Sequence, residues 1–411
     1  MTEREPVIDF DHHSPEFAAD ADARLREIRE TCPVAWSERY GGFWLVADYQ
    51  GNLEVLKNPD VFTGERWPVD DGHGASLIPK SSRITEPVLP MELDPPAHTP
   101  IRQLLNALLS PGAVEALRPR IEHWTAHHLD LVIEQGSCDL LGDVTGPVPA
   151  FVALEWLGYP LEHAAMAAQG IHDLMGNPPG SEAFLRGAEL TARANEVLWE
   201  TIQARRIEPA ADVLSALIAQ EIDGVPVDDA TIMNLGASLI AGGVDTTTSL
   251  ASSALVHLHD DRDLRQRLID DPDLLDVATE EFLRVYPPLT TIAKTARQET
   301  VLRGCPVHAG DRLLVSRHSA NFDAAQFDRP EEFVADRFPN RHVSFGLGPH
   351  RCAGSHFARL EFQVLLRRVL ERMPDYELDA AALVPYPDRG LTTGWVSLPA
   401  RFTPGVRVGI R

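Results

Sequence analysis

Apolar positions repeat at helical spacing over most of the chain. Between about residues 97 and 284 they recur at i, i+3, i+4 and i+7, which predicts amphipathic helices. Residues 41–49 (GGFWLVADY) form a short apolar run that predicts a strand, and residues 311–320 are also β-like. The pattern therefore predicts a mainly α-helical protein with a smaller β region. Its clearest helices are 117–135, 161–175 and 191–206.

Nothing in the sequence separates this pattern into independent units. The length of 411 residues alone would suggest two or three domains. However, the chain contains no internal repeat, no low-complexity tract and no linker long enough to separate domains from each other. We therefore expect one domain over residues 1–411, with a β-richer portion over about 1–95 and a helical portion over about 96–411.

The segment 234–258 is apolar enough to need a test as a membrane span. It contains a single charge, Asp245, together with three glycines and seven serines or threonines. One aspartate at the bilayer centre costs about 2.5–3.5 kcal/mol on insertion scales, and no basic cluster flanks the segment. A buried core helix is the better interpretation, so no membrane insertion is expected.

Charge and cysteine usage exclude several classes of partner and compartment. Lys+Arg 37 against Asp+Glu 61 gives a net charge of −24, which argues against nucleic acid or an anionic membrane as the main partner. The N-terminal residues lack the apolar stretch of a secretion signal. The four cysteines show no framework spacing, which is typical of a reducing compartment. A cytoplasmic location is therefore expected; the cysteines are Cys32, Cys138, Cys305 and Cys352.

Cys352 lies in FGLGPHRCAGSHFARLE (345–361), among glycines and before a predicted helix. It could be a nucleophile deprotonated by His350 or His356. The spacing H-x-C-x3-H could hold a metal, although it is unlike common zinc arrangements. It could also be the axial thiolate of a haem, or simply a small buried residue.

The glycines around Cys352 favour the haem interpretation without closing the others. Gly346 and Gly348 let the backbone lie close to a flat object, and their amides can point at sulfur. Gly354 removes a side chain just after the cysteine. A helix from about Ala353 would direct its positive end at the thiolate.

This stretch resembles the haem-binding signature of the cytochrome P-450 family, F-x-x-G-x-x-x-C-x-G. Phe345, Gly348, Cys352 and Gly354 fill every fixed position. The resemblance implies the cytochrome P-450 fold, a triangular single domain of the soluble bacterial type. It implies haem b bound through Cys352, which would be the metal ligand, with Phe345, Gly346 and Gly354 beside the cofactor.

A second family mark is AGGVDTTT (241–248), where two glycines interrupt an otherwise good helix at about 1 kcal/mol each. Close helix packing would explain these glycines as well. The stretch resembles the family's oxygen-binding groove, with Gly242, Gly243, Asp245 and Thr246 on matching positions. The resemblance implies that Gly242 faces the cofactor, and that Asp245 and Thr246 are catalytic. A hydroxyl can donate to bound peroxide while the carboxylate supplies it with protons from solvent.

A third mark is EEFLR (280–284), which places Glu281 and Arg284 on one helix face. A solvated ion pair would explain this spacing too. The family closes a matching E-x-x-R pair with an arginine before the cysteine loop, and Arg337 holds that place. The implied role of the three residues is structural: they would brace the loop that carries Cys352.

Cationic residues at family positions imply contacts with the haem propionates. His98 and Arg102 lie one turn apart in DPPAHTPIR (94–102), where Asp94 is expected to cap the helix. His350 is implied to bind the propionates as well. Where the family usually has an arginine, this chain has Lys294, a point charge rather than a bidentate fork. Arg297, three residues later, is the other candidate.

The resemblance locates the substrate pocket only coarsely. It implies lining from 63–91, from the 176–182 loop and from three other stretches. The residues predicted there are mostly small or apolar, which favours a small or medium, mainly apolar organic substrate. The candidates are Ser238, Ala241, Thr291, Ile292, Thr392 and Thr393.

The implied reaction is insertion of one oxygen atom from O2, the co-substrate, into a C–H bond. Alternatives are a peroxide-driven or oxidative-coupling enzyme, a haem sensor or carrier, and a hydrolase that uses Cys352. Because the chain ends soon after its last β-like run, electrons are expected from a separate ferredoxin or flavodoxin with its reductase. The acid-free run 337–359 contains the candidate donor contacts Arg341, Arg351 and Arg359.

Overall fold

The computed structural model describes residues 4–66, 76–79 and 86–409. It is mainly α-helical with a smaller sheet portion, which confirms the predicted fold class. The α-helices are α1 Pro15–Ala19, α2 Ala21–Thr31, α3 Tyr49–Leu56, α4 His98–Leu108, α5 Pro111–Glu115, α6 Arg118–Val132, α7 Pro147–Leu157, α8 Ala164–Gly176, α9 Glu182–Ile207, α10 Val213–Ile218, α11 Asp229–Gly243, α12 Asp245–Asp260, α13 Arg262–Asp270, α14 Leu274–Val285, α15 Arg317–Ala320 and α16 Ser355–Arg372.

The strands are short, and most of them pair in twos or threes. They are β1 Val34–Ser37, β2 Phe43–Val46, β3 Phe62–Thr63, β4 Ser137–Asp139, β5 Glu221–Ile222, β6 Val225–Pro226, β7 Thr291–Ala296, β8 Thr300–Leu302, β9 Cys305–Val307, β10 Arg312–Ser316, β11 Glu377–Leu378, β12 Val384–Pro385, β13 Trp395–Ser397 and β14 Pro399–Arg401. Single helical turns lie at Arg39–Gly41, Leu161–His163 and Gly348–His350, and a π-helical turn at Leu141–Thr145.

The largest sheet has five strands in the order β1-β2-β10-β7-β3. The apolar strand β2 pairs antiparallel with β1 and parallel with β10, and all four of its residues are buried. Strands β7 and β10 come from residues 291–316, so the sheet joins both sides of the division predicted near residue 95. The single domain over 1–411 itself stays a prediction.

Most predicted helices are present, with shifted ends. Helix α9 extends far beyond the predicted 191–206 because Ser181 caps it, accepting from the Phe184 N–H, and Arg205 and Arg206 lie in its last turn. The strand predicted over 41–49 is shorter, since the side chain of Asp48 caps α3. The β-like run 311–320 ends as the short helix α15.

The segment 234–258 is helical and largely buried, as expected, but it is broken. Helix α11 ends at Gly243, α12 begins at Asp245, and Val244 between them has φ −85° and ψ −69°. In the described part of the chain, no helix is both long enough and apolar enough to cross a membrane. The break places Asp245 and Thr246 at the start of a helix rather than within one.

Two large apolar clusters hold the helices together, with α12 in one and α11 in the other. One cluster joins α6, α12, α14 and α16, and the other joins α4, α7 to α9 and α11. Ala353, directly after Cys352, packs against both clusters. The cysteine loop is therefore anchored where the two halves of the core meet.

Candidate active site

Cys352 lies in a loop with two glycines in the left-handed conformation, one of which has no room for a side chain. Its backbone N–H donates to the Phe345 carbonyl at 2.8 Å, which folds the loop back on itself. Gly346 and Gly348 both have φ +67°, the left-handed region that favours glycine. A Cβ on Gly348 would also collide with the carbonyl oxygen of Leu56. The loop conformation therefore depends on these two glycines.

The electrostatic field around Cys352 contains opposing contributions. Cys352 is exposed, yet its position deep in the fold desolvates the thiol and raises its pKa. A hydrogen bond from the Gly354 N–H lowers the pKa, as do the nearby positive charges. Helix α16 begins at Ser355, two residues later than expected, with Gly354 as its N-cap residue. The cations concerned are Arg102, Arg317 and Arg351.

The geometry supports neither a nucleophile nor a metal cluster at Cys352. His350 Nε2 lies 2.9 Å from an oxygen of Asp94. Among the described residues, no imidazole hydrogen-bonds to the sulfur, so a base for a nucleophile is missing there. The same residues contain no group of three His, Cys, Asp or Glu side chains placed to hold a metal ion.

Four residues that are predicted to bind the cofactor lie together near the cysteine loop. The carboxylates around them are too few to neutralise all four side chains. The rings of His98 and His350 lie 4.8 Å apart. A Cβ on Gly64 would lie 2.7 Å from Lys294 Nζ and 3.5 Å from the His350 ring, so all three groups are neighbours. The fourth residue, Arg102, donates to the carbonyl of Arg351. Burial and neighbouring positive charges lower the pKa of His98 to about 4.

Asp94 is the carboxylate at the centre of this cluster, and its predicted role as a helix cap is wrong. Helix α4 begins at His98 with Ala97 at its N-cap position. The Asp94 side chain instead accepts from Thr63, from Arg297 at 3.0 Å and from His350. These partners hold the pKa of the Asp94 carboxyl well below its usual range, although burial opposes them. A carboxylate so engaged has little capacity left for the other cations.

Lys294 and Arg297 therefore differ in their surroundings. Arg297 forms ion pairs with Glu65 at 2.6 Å and with Asp94 at 3.0 Å. Lys294 is buried, and burial lowers the pKa of its amine to about 8, although the charges of Asp94 and Glu92 raise it. Arg297 is engaged with acids, whereas Lys294 remains beside the two histidines. This arrangement supports Lys294 as the ligand-binding cation.

The residues present fit a haem. Its ring needs backbone without side chains beside the axial ligand, which the glycines of the cysteine loop provide. Its two carboxylates need cations and donors. His98 Nε2 and His350 Nδ1 are buried without a hydrogen-bond partner, and buried polar atoms are normally hydrogen-bonded. The donor set thus matches the propionates of the cofactor that the sequence implies.

The break between α11 and α12 exposes backbone where the predicted oxygen-binding groove lies. Nothing comes within 4 Å of a Cβ built on Gly242, which is exposed. Thr246 is half-buried, and its hydroxyl donates to the Gly242 carbonyl at 2.7 Å. Open space at Gly242 is compatible with a cofactor there, and the Thr246 hydroxyl lies at the edge of that space.

Asp245 is buried and accepts hydrogen bonds from two residues that sequence reasoning missed. His172 Nδ1 lies 2.9 Å from its Oδ1, and the Tyr386 hydroxyl donates to both oxygens at 2.9 and 3.0 Å. Burial lowers the pKa of His172, but the hydrogen bond and charge of Asp245 outweigh this, and the pKa is raised. The predicted acid is therefore held by an imidazole and a phenol rather than directly by solvent.

The predicted structural residues form an ionic group in which Glu281 and Arg284 are completely buried and Arg337 is partly exposed. Arg284 binds Glu281 through two hydrogen bonds of 2.8 Å, and Arg337 Nε reaches the same carboxylate at 3.0 and 3.1 Å. Arg284 also donates to the carbonyl of Asn321, whose side chain binds Ser344 Oγ at 2.8 Å. Because Ser344 precedes Phe345, the group connects directly to the cysteine loop.

The predicted pocket residues differ from one another in their burial and in their hydrogen bonds. Ser238 and Ala241 lie half-buried on α11, and Ile292 packs against the core of the five-stranded sheet. The three threonine hydroxyls are used within the protein. Part of the predicted 63–91 lining lies outside the described residues. Thr291 donates to Gly390, Thr392 to Met175 and Thr393 to Pro287, at 2.7, 2.6 and 3.2 Å.

The residues that sequence reasoning missed carry no local signal in the sequence. Tyr386 fits between Gly176 and Gly394, since a Cβ on either glycine would lie 2.5 Å from its ring. Paired glycines far apart in the chain carry no local pattern, so only the fold brings them to one aromatic ring. His172 lies within a predicted helix and looks like any polar residue of its surface.

Comparison with known proteins identifies the family. The sequence profile described as Cytochrome P450 matches residues 186–378. A steroid C26-monooxygenase of Mycobacterium tuberculosis is 31% identical over 415 residues, which cover all of both chains. A steroid C26-monooxygenase of Mycolicibacterium smegmatis is 31% identical over 413 residues, 99% of this chain and 100% of the relative.

Solved structures of the same family share the fold. The Mycobacterium marinum cytochrome P450 CYP268A2 in complex with pseudoionone superposes with a TM-score of 0.89 at 25% identity, covering 98% of this chain and 100% of the other. CYP109E1 from Bacillus megaterium in complex with testosterone gives 0.83 at 26% identity, covering 95% and 99%.

Proposed function

The chain belongs to the cytochrome P450 family, and from this premise we propose roles for individual residues in its reaction. The protein is a monooxygenase that uses haem b and O2, and it needs a redox partner for electrons. The observation that carries the proposal is the loop of Cys352, with glycine backbone on both flanks and unpartnered cationic donors nearby.

In this proposal Cys352 binds the haem iron, and the neighbouring residues hold the ring. Phe345, Gly346, Gly354 and Gly242 would lie against it. The bound haem supplies the oxygen-activating chemistry, while the protein supplies orientation and electrostatics. Four cationic or imidazole side chains bind the propionates; these are His98, Arg102, Lys294 and His350.

In the proposed reaction, Thr246 and Asp245 transfer protons. The Thr246 hydroxyl donates to the Gly242 carbonyl in this structure, and a rotation about χ1 would redirect it toward the cofactor. Asp245 directly precedes Thr246 as the first residue of α12. His172 and Tyr386 are its hydrogen-bonded partners. We propose that a proton reaching His172 passes to Asp245 and from there to the Thr246 hydroxyl.

Thr246→Ala tests the proton role, with Thr246→Ser as its matched control. The alanine variant keeps the haem site but loses the hydroxyl, so product per NAD(P)H should fall by up to about 10²-fold, the scale of acid–base contributions. The serine variant should retain most of the coupling. If both variants couple as well as the parent protein, Thr246 has no part in the reaction.

The substrate class follows from the pocket and from the relatives. The predicted lining is small or apolar, two relatives are named steroid C26-monooxygenases, and two structural neighbours contain testosterone and pseudoionone. We therefore propose a mainly apolar organic substrate of the steroid or isoprenoid class. Titration of the holoprotein with testosterone and pseudoionone, followed by the haem absorption band, tests this class. Saturable spectral shifts would support it.

For the electron donor we propose an acidic ferredoxin or flavodoxin that docks on the 337–359 side. Arg341 and Arg351 are exposed. Arg359 differs, because it binds Glu280 at 2.6 and 2.7 Å and packs over the Phe345 ring. Its charge is largely neutralised, which removes it from the predicted contacts. Phe338, 91% exposed and three residues before Arg341, adds an apolar contact.

Charge reversal tests this docking surface. Arg341→Glu and Arg351→Glu should slow reduction by an acidic donor most at low salt, because screening weakens steering. Arg193→Glu, at an exposed position on α9, is the matched control for the change in net charge. Equal rates in all three variants at low salt would place the docking surface elsewhere.

A further inference from the structure

Arg317 is a buried arginine that no role described so far uses. It is the first residue of α15, directly after strand β10. Its side chain lies between strand β7 and the cysteine loop. The Nη2 group donates to the Thr291 carbonyl at 3.1 Å, and Nη1 to the Ser344 carbonyl at 3.5 Å. Thr291 lies on the strand of Lys294, and Ser344 directly precedes Phe345.

These contacts leave the charge of Arg317 uncompensated within the protein. Its Nε is buried and has no hydrogen-bond partner. In residues 4–66, 76–79 and 86–409, no carboxylate forms an ion pair with it. A buried ion without a counter-ion is strongly unfavourable. Arg284, equally buried, shows the usual solution, since it binds Glu281 through two hydrogen bonds.

The acidic group that acts electrostatically on Arg317 is Cys352, on the loop that the arginine contacts through the Ser344 carbonyl. Burial lowers the pKa of the guanidinium to about 10, and Cys352 raises it, so the side chain stays charged at neutral pH. The covalent path between them is short, because Ser344 adjoins Phe345, whose carbonyl accepts the Cys352 N–H at 2.8 Å. The arginine is therefore fixed to the same loop as the axial ligand.

We propose that Arg317 is the buried counter-cation of the haem–thiolate unit and raises the reduction potential of the bound haem. The charges of ferric iron, the porphyrin ring and one thiolate cancel, and one added electron leaves a net negative unit. A fixed cation nearby stabilises the reduced form more than the oxidised form. The proposal rests on Cys352 as axial ligand, but not on the roles of Asp245 or Thr246.

Two substitutions separate the charge of Arg317 from its hydrogen bonds. Arg317→Gln keeps a donor but removes the charge, whereas Arg317→Lys keeps the charge and loses the planar bridge between two carbonyls. Arg265→Gln is the control for losing a buried arginine, because Arg265 is buried on α13 and donates to the Tyr376 carbonyl at 2.7 Å. The measured quantity is the one-electron midpoint potential of each substrate-free holoprotein.

We expect Arg317→Gln to lower the equilibrium constant for reduction about tenfold, or about 59 mV for one electron. Arg317→Lys and Arg265→Gln should remain within about threefold of the parent protein, a shift of about 30 mV or less. An unchanged potential in Arg317→Gln overturns the proposal. So does an equal shift in Arg317→Lys, because the effect would then come from geometry.

Two further measurements distinguish the possible causes of a changed potential: the amount of haem that each variant retains, and the spectrum of its reduced CO complex. If Arg317→Gln loses haem while Arg317→Lys keeps it at the parent potential, the charge is required at the haem and the proposal stands. If both variants lose haem, Arg317 is a structural tie and the proposal falls. If the parent protein itself lacks the thiolate-type CO spectrum, the failure lies with Cys352 as ligand.

Discussion

Arg284 and Arg317 are both buried arginines attached to the cysteine loop, yet their surroundings are opposite. Arg284 has a bidentate carboxylate partner in Glu281, and its other N–H groups reach the carbonyls of Asn321, Pro330 and Glu332. Arg317 has two carbonyl contacts and an unpartnered Nε. The first region satisfies its charges within the protein, which indicates a structural role. The second leaves them for a ligand.

The cluster of His98, Arg102, Lys294 and His350 near the cysteine loop follows the second pattern. His98 Nε2 and His350 Nδ1 are buried without partners, and Asp94 is largely committed to Thr63, Arg297 and His350. Natural proteins rarely leave buried polar atoms unpaired. The distribution of unsatisfied donors therefore separates the regions that hold the fold from the regions that hold the cofactor.

The largest effect should come from breaking the satisfied region. Glu281→Ala leaves Arg284 and Arg337 buried without an anion, and losing one partner of a buried ion pair costs about 3–5 kcal/mol. Urea unfolding of the holoprotein, followed by circular dichroism, should show this loss. Glu331→Ala is the control, since Glu331 pairs with Arg26 at the surface and should cost at most about 1 kcal/mol. Similar losses in both variants would contradict a structural role for the buried group.

A smaller effect is expected at Lys294. Removing its charge leaves a propionate with one cation fewer, so Lys294→Ala should release haem to apomyoglobin about tenfold faster, the scale of one charge-assisted hydrogen bond. Lys294→Arg keeps the cation and should release haem at nearly the parent rate. If Lys294→Ala releases haem no faster than the parent protein, while Arg297→Ala does, the propionate contact belongs to Arg297.

The last effect, comparable in size, concerns His172 and depends on pH. The pKa of His172 is raised in the folded protein, so its charged pair with Asp245 contributes stability below the ordinary histidine pKa of about 6.5. This contribution disappears as the pH rises through the folded pKa. Asp173 and Tyr386 also face the imidazole, and Arg186 binds Asp173 at 2.8 Å.

His172→Asn should therefore lose about 1–2 kcal/mol of unfolding free energy at pH 6 and clearly less at pH 9. Chemical unfolding at the two pH values measures the difference. Tyr386→Phe, which keeps the ring and removes the hydroxyl, should show a loss with little pH dependence over this range. A His172→Asn loss that is equal at both pH values would mean that the imidazole is not charged beside Asp245.

The sequence predicted local features well and distant partners poorly. Three features were predicted well: the cysteine loop, the glycines before Asp245 and the Glu281–Arg284 spacing. Each of them lies within a few consecutive residues, so the local sequence pattern determines its geometry. The partners of Asp245 lie 73 and 141 residues away. Only packing of the hairpin β12–β13 near the end of α8 brings them together.

Tertiary contacts overturned one local prediction, the helix cap, and changed the surroundings of one predicted donor contact. Asp94 has the spacing of a helix cap, but Thr63, Arg297 and His350 offer its carboxylate stronger partners than the amides of α4. Arg359 counts as a basic surface residue in the sequence, whereas Glu280 on α14 neutralises it. In both cases a charged residue of another element determined the role.

The central claim is that Cys352 binds a haem iron as a thiolate, and the absorption spectrum of the dithionite-reduced, CO-treated protein tests it most directly. The parent protein should show the long-wavelength Soret band of a thiolate-bound haem, and Cys352→Ala should lose that band. A parent protein that binds haem but shows only the shorter-wavelength band, or a Cys352→Ala variant that keeps the thiolate-type spectrum, would contradict the assignment.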